Sequence, residues 1–91
     1  MEVKKLISAL EETISLLRNS QASDWASTSV KEVIGTLESE IDKAKNSEPV
    51  DSKLLKSLFA PTGSIQETAI DNGWETDFQR ISEIIGGLID T

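Results

Sequence analysis

The sequence predicts an all-α fold: a small, mostly antiparallel helical bundle of three substantial helices, one short helix and one capped helical turn. Three observations carry this prediction. Apolar residues return at alternating steps of three and four over most of the chain, the spacing of a helix with one buried face. No stretch alternates polar and apolar residues for long enough to propose a strand. The turn-forming residues collect between the apolar runs, at 19–23, 46–51, 61–63 and 71–73.

The first helix is expected over about residues 2–18, where Val3, Ile7, Leu10, Ile14 and Leu17 form the stripe and Leu6 and Leu16 widen it. "NSQAS" at 19–23 ends it. A longer helix is expected from about 23 to 46, with Ala26, Val30, Val33, Ile34, Leu37, Ile41 and Ala44 on one face and Glu40–Lys43 and Asp42–Lys45 as charge pairs on its surface. Ser23, or Ser29 with Glu32 in a capping box, would start it. Pro49 then biases Glu48 away from helix, and Asp51 is placed to cap the short helix "SKLLKSLF", with Val50 stapling onto Leu55. The last helix repeats the opening pattern in Trp74, Phe78, Ile81, Ile85 and Leu88, started by Asn72 with Glu75 or by Thr76 with Gln79. Gly86-Gly87 marks either a frayed end or a close approach of another helix. Trp25 and Trp74 are expected in or beside the core, each with its indole N–H bonded.

Ninety-one residues suit one domain spanning 1–91, and a chain of this size buries roughly 60–65% of its unfolded surface. There is no cysteine and no histidine, which removes disulfides, thiolate nucleophiles, the usual zinc ligands and every histidine-assisted nucleophile. An enzyme is therefore not expected. Lys4 and Lys5 before an apolar run superficially suggest a signal peptide, but Glu11 and Glu12 interrupt it, and no window reaches the roughly 20 apolar residues of a membrane span. A cytoplasmic protein is expected. The net charge of −7 is unevenly spread: residues 1–20 carry three acids and three bases, 21–46 five and three, and 47–91 eight and three. Such a surface repels phosphate backbones and anionic lipid, so neither nucleic acid nor membrane is an expected partner, whereas a basic protein is.

The carboxylates do not assemble into a recognisable metal or cofactor motif, and none is expected to bind. "DNGWETD" at 71–77 lacks the alternating ligands and closing glutamate of a calcium loop. Glu38 and Asp42 stand one helical turn apart, as on many exposed acidic faces. "APTGS" at 60–64 lacks the lysine and glycine spacing of a phosphate loop.

The least ordinary stretch is "LFAPTGSIQETAIDNGW" at 58–74. Pro61 presets a turn, Gly63 is expected to close it with positive φ, and Ser64 with Glu67 forms a capping box for a helical turn ending at Gly73. Ile65, Ala69 and Ile70 are expected to face the core, leaving Gln66, Glu67, Asp71 and Asn72 as candidate partner-binding residues. The N-terminal helix, the "SDWA" step at 23–26 and this stretch together resemble small uncharacterised bacterial helical proteins, some of them associated with immunity-type partners of toxins. The resemblance implies a helical fold and carries no functional residue over. The expected function is non-enzymatic protein binding through the acidic helical surface, of immunity or inhibitor type. The alternatives are an assembly protein that homodimerises through its apolar helix faces and, less favoured, a carboxylate-dependent enzyme or metal protein.

Overall fold

The computed structural model of the chain describes residues 2–20, 30–60 and 63–89. Within them lie five helices and no strand: α1 (Val3–Arg18), α2 (Val30–Lys45), α3 (Ser52–Leu58), α4 (Ser64–Asn72) and α5 (Glu75–Ile89). The all-α class is as expected, and the expected turn at 64–72 is a helix in its own right. The part of the second helix expected over 23–29, with Trp25 and both proposed serine caps, lies outside the described residues.

Helix α1 packs against both α2 and α5, while α3 and α4 pack onto α5. This double cover explains a shift in the buried face of α1. Leu6, Leu10 and Leu17 are fully buried, whereas Val3 at the head of the expected stripe is 40% exposed and Ile7 is only half-buried. The buried face has turned toward Leu6, Ala9 and Thr13. Thr13 enters it without an unmet hydroxyl, because Oγ1 donates to the Ala9 carbonyl at 2.9 Å. Across the core, Phe59 and Phe78 stack with ring centroids 6.2 Å apart, and the Ser82 hydroxyl donates to the Phe59 carbonyl at 2.9 Å.

The helix ends follow local chemistry. Asp51 caps α3 as expected, its Oδ1 accepting from the Leu54 N–H at 3.0 Å. Helix α4 stops at Gly73 (φ +79°), where the Trp74 N–H reaches back to the Ala69 carbonyl and the Gly73 N–H to that of Ile70, a Schellman closure. Helix α2 ends in the same way without a glycine. Glu48 N–H bonds to Lys43 and Ser47 N–H to Ala44, so Ser47 sits at φ +59°. A left-handed serine costs about 1–2 kcal/mol, partly offset on replacement by the extra unfolded-state freedom of glycine. Ser47→Gly is therefore expected to raise stability by about 0.5–1 kcal/mol, and Gly73→Ala to lower it by about 1 kcal/mol. Thermal unfolding checks both, and a lowered midpoint for Ser47→Gly would contradict this account of the stop.

Three local expectations are corrected. Gly63 has φ −83°, not the positive value expected. Glycine is needed there because a Cβ would lie 3.0 Å from the Leu58 carbonyl oxygen, 3.1 Å from that of Ser57 and 3.2 Å from that of Ala60. The cap of α4 falls on Gly63, one residue before Ser64, so the expected capping box does not form. Helix α5 opens directly after Trp74, whose carbonyl accepts from the Phe78 N–H, so neither Asn72 nor Thr76 caps it.

Candidate partner-binding surface

Helix α4 covers α5 with Ile65, Thr68 and Ala69, all buried. Ile70, expected to join them, is instead 52% exposed. The reason is angular: five residues of helix past Ile65 turn the side chain by roughly 140°, away from the covered face. The outer face of α4 thus presents Ile70 beside the exposed Glu67 and Asp71, with Gln66 half-buried next to them. Asn72 is diverted from this edge, since its Nδ2 donates to the Thr68 carbonyl at 2.9 Å. The structure therefore groups Gln66, Glu67 and Asp71 around an apolar centre that the sequence reading had placed inside, and gives Asn72 a bond within its own helix.

The electrostatics of this edge are unrelieved. Glu67 and Asp71 stand one turn apart, a like-charge spacing that weakens a helix by a few tenths of a kcal/mol. Asp71 also lies in the last turn, where the helix dipole disfavours an anion, and α4 has no basic residue in that turn. Neither carboxylate is ion-paired among the described residues.

Some of the other carboxylates have cationic partners. Glu38 meets Arg18 at 3.6 Å. Arg80 forks onto the Glu12 carboxylate, Nη1 reaching Oε1 at 3.3 Å and Nη2 contacting Oε2, and also touches Asp77 at 3.5 Å. The hydrogen bonds that Arg80 donates to the Glu12 carboxylate raise its pKa above the ordinary value, so the guanidinium stays charged at all working pH. Glu40 departs most from expectation: it pairs with Lys43 at 3.4 Å, as anticipated, yet is 1% exposed and accepts the Asp51 N–H at 3.2 Å. No buried side-chain nitrogen or oxygen among the described residues lacks a hydrogen-bond partner. Among them, too, no three carboxylates converge as a metal site would require, and no helix is long and apolar enough to cross a membrane.

Compared with protein-family models, characterised proteins and solved structures, the chain matches none. The functional reading therefore rests on the chemistry of its own surface.

Proposed function

We propose that this chain is a non-enzymatic binding module that holds a basic protein surface against the outer edge of α4. Ile70 carries the reading: a large apolar side chain half in solvent, bordered by two carboxylates that are not ion-paired among the described residues. The carboxylates steer and register a cationic partner, and the desolvated isoleucine supplies the anchor. A cation brought between Glu67 and Asp71 also relieves the repulsion and the dipole conflict described above. Toxin neutralisation, or occupation of a nucleic-acid-binding site by an acidic inhibitor, are functions of this type, acting in the cytoplasm. The supporting scaffold is read as a mostly antiparallel bundle. Contact of Glu12 with Arg80 supports this for α1 and α5, because their shared groove extends from there toward lower numbers on α1 and higher numbers on α5.

Ile70→Lys is expected to leave the circular dichroism spectrum and melting temperature unchanged while weakening partner binding about 30-fold, the effect of losing an anchor worth about 2 kcal/mol. The check compares proteins retained at low salt by the wild-type chain and by the variant, followed by affinity measurement on any protein that only the wild type retains. Equal retention of every protein by both forms would end this reading.

A further inference from the structure

A second face, sharing no residue with the α4 edge, has different chemistry. Between α1 and α5 runs an open groove of about 540 Å³, floored by Ala9, Ile84, Gly87 and Leu88. Ile84 is 38% exposed there. Gly87, like Gly35 and Gly86, is a glycine inside a helix that local packing does not require, and of the three it alone lines this groove. Helix α5 runs through Gly87 to Ile89, φ is not positive, and a Cβ would meet nothing within 4 Å. A glycine inside a helix is less favourable than alanine by roughly 1 kcal/mol, and here it only deepens the groove beside Ile84.

The groove's charge distinguishes its occupant. The chain as a whole carries −7, yet the groove rim is balanced, with Lys5 and Arg80 against Glu12 and Glu83. A strongly basic or acidic partner gains no advantage there. The signs are also arranged end to end: Lys5 and Glu12 are seven residues apart on one helix, about 10 Å by the helical rise. We infer that this groove receives a second copy of the same chain, the two α1 helices crossing antiparallel about a two-fold axis near Ser8 and Ala9.

That axis places Lys5 of each copy against Glu12 of the other, so one self-complementary pair of charges is made twice. Because Glu12 sits beside Arg80 and the groove extends toward Leu88, the same axis crosses α5 near Ile84. Ile84 then meets its counterpart, and Arg80 passes over the space left by Gly87 of the other copy. The bond of Lys5 to Glu2 at 2.9 Å does not prevent this, since both side chains are exposed and such pairs contribute little. Two helices about 24 Å long present less than the roughly 800 Å² per partner of a standard interface, so the dimer is concentration-dependent, with Kd in the micromolar range or above.

Sedimentation equilibrium of the full chain, over a series reaching about 1 mM, tests this. The expected result is a rise from a 9.9 kDa species to one of twice that mass. Ile84→Asp and Lys5→Glu should each hold the chain monomeric throughout, with helical content unchanged, while Glu67→Lys on the α4 edge leaves the dimer intact. Gly87→Leu separates an interface role from a structural one: it should raise the melting temperature of the dilute monomer yet shift dimerisation to at least tenfold higher concentration. A monomer at every concentration overturns the inference, as does a dimer indifferent to both Ile84→Asp and Lys5→Glu. Because the α4 edge takes no part, either result leaves the basic-partner reading to its own test.

Discussion

Trp74→Ala is expected to destabilise the fold by about 3–5 kcal/mol, the usual loss when a core aromatic is cut back to a methyl group. The ring is 7% exposed, at the junction of α4 and α5. Its backbone N–H completes the stop of α4 and its carbonyl starts α5, so the side chain anchors the point where the chain changes direction. The indole N–H donates to Ser20 Oγ at 2.8 Å, and that hydroxyl donates to the Leu16 carbonyl at 2.7 Å. This relay joins the end of α1 to the start of α5 across 54 residues. A domain of this size is stable by only about 5–14 kcal/mol, so the substitution removes a large part of the total. Trp74→Phe separates the two contributions: it keeps most of the apolar burial, loses the N–H, and should cost about 1 kcal/mol, plus any void left by the smaller ring. Urea titration reads both, and an unchanged midpoint for Trp74→Ala would mean that the ring does not fill the core.

Glu40→Ala should have the next largest effect, about 2 kcal/mol, because it removes an acceptor that serves two elements. Burying a carboxylate is unfavourable unless its oxygens are bonded. Here the Asp51 N–H and the Lys43 ammonium meet them, at 3.2 Å and 3.4 Å. A bond to a charged group contributes about 1.5–3 kcal/mol, and the lost contacts of the shortened side chain add to it. Glu40→Gln retains a carbonyl acceptor for the Asp51 N–H and forfeits mainly the pairing with partly exposed Lys43, so it should cost about 1 kcal/mol or less. The order wild type, Gln, Ala in denaturation midpoint is the expected outcome. Equal stability of all three would mean that the carboxylate does not hold the start of α3.

Glu40 also shows where sequence reading reaches its limit. Its spacing to Lys43 is the same whether the pair lies in water or against another segment, and only the return of the chain at Pro49–Asp51 buries it. Arg80 and Glu12 likewise meet across 68 residues with no local signal. Features governed by neighbours in sequence were legible: the helical period of α1 and α5, though not the turn of the buried face of α1 toward Ala9 and Thr13, the Asp51 cap, and the stop at Gly73. Gly63 was marked as special for the wrong reason, since crowding by three carbonyls leaves no trace in composition. The candidate site was half legible. Glu67 and Asp71 could be placed on an outer face, but Ile70 was read as core because it is apolar, although helical geometry relative to Ile65 already turned it outward.

The position of α1 between two neighbours has a consequence for how the molecule opens and closes. Its pairing with α2 is local in sequence, whereas joining α5 closes a loop such as the 68 residues between Glu12 and Arg80, at an entropic cost of roughly 4 kcal/mol. Helices α3 and α4 lean on α5, so the contacts group α1 with α2, and α3 and α4 with α5, the first pairing being the more local in sequence. Glu40, reaching from α2 to Asp51, Trp74, reaching from the start of α5 to Ser20, and Arg80, reaching from α5 to Glu12, tie these groups together beside the packing of α1 on α5. Ile70 lies in the group of α3, α4 and α5, so the orientation of the proposed binding edge relative to α1 and α2 depends on these ties.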